Sequence, residues 1–258
     1  MHPDVSVILN IHRESGYVLR TLRSLDEAAS FARDEGIHSE LIVVLDRADE
    51  LTRNVTKSAI CCGFETVRYV EADHGSLGLA RNTGIAAANG KYVWTADADD
   101  LVSYNCITVM HAMAEATPGS VVFPEYRLAF GDSYFCIKFF DDSIVDAADI
   151  LYGHGYGSRI FLRRDVFNDL QFDDLRLSQG FAYEDWHLNC ELKARGFRFL
   201  VGSQTALYYR TRKGSLCSEA DAISTRQIPD TTLHNPELLQ RCIASDLSIM
   251  EGMTIDRI

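Results

Sequence analysis

Asp97-Ala98-Asp99-Asp100 places three carboxylates within four residues, directly after the apolar run Tyr92-Val93-Trp94-Thr95-Ala96. Two such charges ~4 Å apart at an effective dielectric of ~20 repel by about 4 kcal/mol. Solvent, hydrogen bonds or a cation must therefore hold the cluster. Carboxylate oxygens suit Mg2+ or Mn2+, which keep positions free for phosphate. The competing reading is a solvated acidic turn, since Asp99, Asp100 and Ser103 are good caps for a following helix.

The elements that must position this cluster are legible as apolar runs. Val5 to Asn10, Leu41 to Leu45, Thr66 to Val70 and Tyr92 to Ala96 have the length and β-branched content of buried parallel strands. Between them lie a helical pattern on Val18, Leu22, Leu25 and Ala29, a short helix at residues 51–60, and an Ala-rich helix at residues 79–89 with Gly90 as its stop. Such alternation predicts a mainly parallel central sheet with crossover helices, whose ligands gather outside the carboxyl ends of the strands. Polar residues follow each strand there: Asn10 to Glu14, Asp46, Asp73 and the Asp97 cluster. No GxGxxG or GxxxxGK[ST] pattern is present, so phosphate recognition through a glycine loop is a poor reading.

Farther on, a helix is expected at residues 107–116 and a strand pair at 121–130 and 134–140 turning at Gly131-Asp132. A glycine-rich loop, Gly153-His154-Gly155-Tyr156-Gly157, precedes a strand at 158–162 and a short helix at 164–169. A clear helix spans 184–195 with Gly196 at its end. Two closing strands follow at 197–201 and 205–209, then a polar segment and a packing helix at 236–250. His74 and His154 read as ordinary loop histidines.

The 258 residues suit one α/β domain with a small appendage, and 47% hydrophobic content supplies a sizeable core. A net charge of −12 argues against nucleic acid as a partner, because a phosphate backbone needs a basic face. Seven cysteines without metal-ligand spacing, and no signal peptide, lead to the expectation of a cytoplasmic protein with reduced thiols. No apolar run reaches the ~20 residues of a membrane span. Peripheral association with the inner face of the cell membrane stays open.

The run Gly78-Leu79-Ala80-Arg81-Asn82-Thr83-Gly84-Ile85, Ala88-Asn89-Gly90-Lys91-Tyr92-Val93 and Asp97-Ala98-Asp99-Asp100 strongly resembles the family 2 glycosyltransferases. Tyr183-Glu184-Asp185-Trp186-His187-Leu188 resembles the family's acceptor-side "ED" block, and the likeness extends over residues 4–217. The resemblance implies a GT-A fold at residues 1–218, with a nucleotide-sugar half at 1–102 and an acceptor half at 103–218, followed by a helical segment at 219–258. It implies an inverting, metal-dependent transfer from a nucleotide-diphosphosugar, with a UDP-sugar expected, to a glycan or lipid-linked acceptor in surface polysaccharide or O-antigen-type synthesis. Carried onto this chain, Asp99 would be the direct metal ligand. Asp97 would ligate or face the ribose or the metal's water shell. Asp46 would read the base, and Arg81, Asn10, His12 and Arg210 would line the donor. Asp185 would be the base, Asp100 would stand behind the metal ligands or cap a helix, and Glu184 and Trp186 would support the base or the acceptor; Ser215 is a further donor-loop candidate. The chain departs from the family at Asn10-Ile11-His12-Arg13 and at Arg47-Ala48. Two rival readings are a non-catalytic sugar-nucleotide-binding module and a sugar-phosphate nucleotidyltransferase. The second lacks the glycine-rich basic loop that would follow its first strand.

Overall fold

A computed structural model describes residues 2–222 and 227–255. Its first half follows the expected alternation. β1 (Val5–Ile11) is buried along its whole length, and α1 (Val18–Asp34) buries Val18, Leu22, Leu25, Ala29 and Ala32, one face at helical spacing. β2 (Ser39–Asp46), α2 (Glu50–Lys57), β3 (Thr66–Ala72), α3 (Leu77–Ala87) and β4 (Tyr92–Asp97) complete this half. The four strands pair in parallel in the order β3-β2-β1-β4. The register sets Asn10 opposite both Val44 and Asp97, so the polar strand exits share one edge.

Close packing explains two glycines. A Cβ on Gly84 would overlap Ile8 Cγ2 and stand 2.8 Å from Val44 Cγ2, so α3 lies directly on β1 and β2. Gly90 is not the helix stop that its position suggested: α3 ends at Ala87, and Ala88 is extended. A Cβ on Gly90 would instead lie 2.6 Å from the backbone nitrogen of Ser6.

The second half adds β5 (Leu101–Val102), α4 (Cys106–Ala116), β6 (Ser120–Gly131), β7 (Phe135–Lys138), α5 (Ala147–Tyr152), β8 (Phe161–Arg163), α6 (Glu184–Ala194) and β9 (Arg198–Thr211). The sheet continues through β8, antiparallel to β4, then β6, β9 and β5, with β7 on the flank of β6. β8 starts later than expected because Ser158 and Arg159 turn away to meet the Asp97 cluster. β9 is one strand where two were expected. A bulge at Gly202–Thr205, with Gln204 left-handed at φ 60, breaks its pattern without ending it. α7 (Leu216–Ala222) and α8 (Pro236–Ile255) close the chain, and α8 is held to α6 by the buried pair Lys193–Asp246 at 2.5 Å. Among the described residues, no helix is long and apolar enough to cross a membrane.

Candidate active site

The Asp97 cluster is neither a solvated turn nor a bare set of repelling charges. Arg81, on α3 and 1% exposed, reaches Asp97 Oδ1 at 3.1 Å and also pairs with Glu184. Arg159, 3% exposed, meets Asp97 Oδ2 at 2.5 Å and also pairs with Asp100. Arg212 reaches Asp99 Oδ2 at 2.9 Å and Glu14 at 3.6 Å. Burial alone would raise the Asp97 carboxyl, but Arg159 and Arg81 together hold it below the usual range. Asp100 goes the other way. Burial, reinforced by Asp99 and Asp97, pushes it up to about 7 against the pull of Arg159. Burial likewise raises Glu14, whose Oε2 accepts the amides of His12 and Arg13 at 2.7 and 2.9 Å.

Around this floor stand the other strand exits. Asn10 is buried, and among the described residues neither its amide nitrogen nor its oxygen has a partner. Such an orphan amide costs ~1–3 kcal/mol unless something binds it. His12 Nδ1 lies 2.7 Å from the Asp46 carbonyl oxygen. The Asp46 carboxylate accepts the amides of His74 at 2.7 Å and Gly75 at 2.9 Å, fixing the loop after β3 over the end of β2. Arg47, immediately after Asp46, is left-handed at φ 51.

Across the cleft, α6 opens with Glu184 and Asp185 behind Tyr183, which is also left-handed at φ 63. A left-handed non-glycine residue is a strained backbone at the entry to a carboxylate pair. Asp185 Oδ1 accepts the Trp186 amide at 2.9 Å, and Oδ2 shares a hydrogen bond with His154 Nε2 at 3.1 Å. Burial would raise Asp185, yet His154, Arg81 and the Trp186 amide outweigh it and hold the carboxyl well below its usual range. His154 is stacked on Trp186 with ring centroids 5.7 Å apart and planes 12° from parallel. The Trp186 indole N–H donates to the Ile150 carbonyl at 2.8 Å.

Several sequence expectations shift here. The direct donor contact assigned to Arg81 does not fit its burial, because its guanidinium is enclosed between Asp97 and Glu184. It ties the β4 exit to the start of α6 instead. Arg210, expected to line the donor, lies in β9. Its amide donates to Asp100 at 2.7 Å, its Nε donates to the Asp99 carbonyl at 3.0 Å, and its guanidinium lies 4.6 and 4.4 Å from the rings of Tyr17 and Phe130. Ser215 caps α7, its Oγ accepting the Ser218 amide at 3.2 Å. His154 is tied to Asp185 rather than free in its loop. Arg159, Glu14 and Arg212 were missed. An arginine heading the apolar run Ile160-Phe161-Leu162 was the available signal, since a buried arginine needs a partner.

The donor set fits a hard divalent ion in part. Both Asp97 oxygens already face arginines, whereas the Asp99 side chain is 17% exposed and engaged through Arg212. Among the described residues, no three carboxylate, histidine or cysteine groups converge as a ligand set. An ion held at Asp99 would therefore take its remaining ligands from phosphate and water.

A mostly parallel sheet flanked by helices, with acidic residues at its carboxyl edge and an acidic helix start facing them, defines a GT-A fold. The profile of glycosyl transferase family 2 matches residues 6–170, and the chain belongs to that family. It is 25% identical over 234 residues to the succinoglycan biosynthesis protein ExoO of Rhizobium meliloti, covering 83% of this chain and 62% of that protein. It is 23% identical over 223 residues to the glycosyltransferase GlyA of Streptococcus pneumoniae, covering 82% of this chain and 31% of that protein. Among solved structures, S. aureus TarS residues 1–349 in complex with UDP-GlcNAc superposes with a TM-score of 0.62 at 17% identity, over 84% of this chain and 61% of the TarS fragment. The chain thus spans less than two thirds of the length of these relatives.

Proposed function

We propose that the chain transfers a sugar from a nucleotide-diphosphosugar, a UDP-sugar in the first instance, to a hydroxyl of a glycan or lipid-linked acceptor with inversion at the anomeric carbon. The observation that carries this reading is a convergence. Orphaned Asn10, Asp46 and the Asp97–Asp99 pair meet at one sheet edge, and Asp185 faces them through the Arg81–Glu184 tie. Membership of family 2 and the sugar nucleotide bound to TarS point the same way. The relationship to a succinoglycan biosynthesis protein supports an acceptor in surface polysaccharide synthesis.

In this reading Asp99 would hold Mn2+ or Mg2+ while Asp97, fixed by two arginines, backs the donor. The ion, when bound, stabilises charge building on the leaving diphosphate. Asn10 and Asp46 frame the base and ribose, and Arg210 faces the diphosphate from the aromatic cradle of Tyr17 and Phe130. Asp185, kept ionised by His154 and Arg81, takes the proton of the acceptor hydroxyl as that oxygen attacks the anomeric carbon. Glu184 and Arg81 fix the start of α6 so that this carboxylate stays on the side opposite the leaving group.

Calorimetric titration with UDP, GDP, dTDP and CDP, with and without Mn2+, tests the donor site. One nucleotide is expected to bind in a metal-dependent way, and Asp99→Ala is expected to abolish that dependence. Absence of binding by all four would overturn the reading, whereas binding without sugar transfer would favour the non-catalytic module.

A further inference from the structure

Of Arg81, Arg127, Arg159, Arg210 and Arg212, Arg127 alone has no hydrogen-bond acceptor among the described residues. Arg81, Arg159 and Arg212 meet carboxylates, and Arg210 meets the Asp99 carbonyl. Arg127, on β6, has no carboxylate or carbonyl partner among the described residues, and its Nε is buried and unbonded. Its guanidinium instead lies 5.1 Å from the Phe139 ring and 5.6 Å from the Tyr209 ring. Ring faces attract the charge but do not satisfy its N–H donors, and arginine does not discard its proton when buried. Burial pulls its pKa down; Asp185, Tyr209 and Asp100 oppose that pull and Arg159 adds to it.

Space has been made for this cation. A Cβ on Gly157 would stand 2.9 Å from Arg127 Nη2, so the glycine-rich loop leaves room for the guanidinium. The same loop carries His154 to Asp185 and Ser158 to Asp97, which sets Arg127 alongside the chain segment that lines the reacting centre. Arg127 does not duplicate Arg210. Arg127 pairs with Leu207 and Arg210 with Phe130, an offset of three residues that puts them on opposite faces of the β6–β9 ribbon. One diphosphate facing Arg210 leaves Arg127 unanswered.

We infer that Arg127 anchors a subsite for an oxyanion, a phosphate or carboxylate carried by the acceptor, beside the hydroxyl that Asp185 deprotonates. The inference rests on the transferase reading and narrows its acceptor to an anionic glycan. A planar guanidinium held by two rings presents its fork to such a group in a geometry a neutral sugar does not match.

The test uses the full chain saturated with Mn2+ and whichever nucleoside diphosphate binds in the panel above. Inorganic phosphate and D-glucuronate are then titrated calorimetrically, the first standing for a phosphate ester and the second for a uronic acid. At least one is expected to bind, and Arg127→Gln is expected to weaken it tenfold or more. Gly157→Ala, which displaces the guanidinium by its flexible end, should weaken it in the same direction and serves as the test if Arg127→Gln does not fold. Arg176→Gln, removing an exposed arginine paired with Asp174, should leave binding unchanged. Equal binding by wild type and Arg127→Gln would overturn the assignment. So would displacement of the nucleotide by phosphate, which would place the oxyanion in the donor site. No oxyanion binding by a chain that binds nucleotide would overturn the subsite and leave the transferase reading standing. Failure of nucleotide binding would remove the reading beneath it.

Discussion

The floor of the cleft and the wall built on β6 handle charge in opposite ways. At the exit of β4 each of Asp97, Asp99 and Asp100 meets an arginine brought from elsewhere in the chain. On the wall Arg127 meets, among the described residues, only aromatic rings and the space left by Gly157. The floor is thus organised before any substrate arrives, which is the arrangement electrostatic catalysis benefits from, since no dipole has to reorient during reaction. The wall leaves one charge for a substrate to answer. Compensated charge builds structure, and uncompensated charge marks recognition.

The largest effect is expected at the start of α6, which faces the floor across the cleft. Asp185→Asn should lower kcat by about 10²–10⁴-fold with the donor KM nearly unchanged, because it removes proton transfer and leaves the donor floor intact. Steady-state kinetics checks this, and undiminished kcat would take the base role from Asp185. Next comes the contrast between the two kinds of arginine. Arg159→Met takes from buried Asp100 its one cation among the described residues and leaves Asp97 with Arg81 alone, and should cost about 3–5 kcal/mol in chemical denaturation. Arg127→Met strands no acid and should stay within ~1 kcal/mol of wild type. Equal losses for the two would dissolve the distinction between floor and wall.

A smaller effect tests the His154–Asp185 contact. The carboxyl of Asp185 is held below its ordinary value, so activity that needs it ionised is retained down to acidic pH and lost only as pH falls through the lowered pKa. His154→Ala removes the strongest of the influences that hold it down and lets burial count for more. The acidic limb of kcat/KM should move to higher pH, with kcat near neutrality changed only several-fold. A limb that does not move would make His154 a packing residue of Trp186.

Much of the first half was legible because each of its elements announces itself locally. A fully buried strand needs an unbroken apolar run, and β1, β2 and β4 supply one each, with Asn10, Asp46 and Asp97 at their ends. The second half was read less well for physical reasons of equal clarity. The bulge at Gly202–Thr205 looks like a strand break because its hydrogen bonds run sideways to Glu125: the Glu125 amide to Thr205 Oγ1 at 3.0 Å, and the Gln204 amide to Glu125 Oε2 at 2.7 Å. Gly90 looked like a stop because helices often end on glycine, whereas here its lost side chain admits the backbone of β1.

The sequence by itself determined the parallel alternation, the polar edge and the family resemblance, because strand burial, helix periodicity and the Asp97-Ala98-Asp99-Asp100 block are all local in the chain. Only the tertiary structure decided which charges neutralise which. Arg81 and Glu184 are 103 residues apart, Arg159 and Asp100 are 59 apart, and Arg212 and Asp99 are 113 apart. Coulomb interactions depend on distance in space and on burial, and no local pattern encodes either. That Arg127 is left without such a partner among the described residues is likewise decided only by the fold.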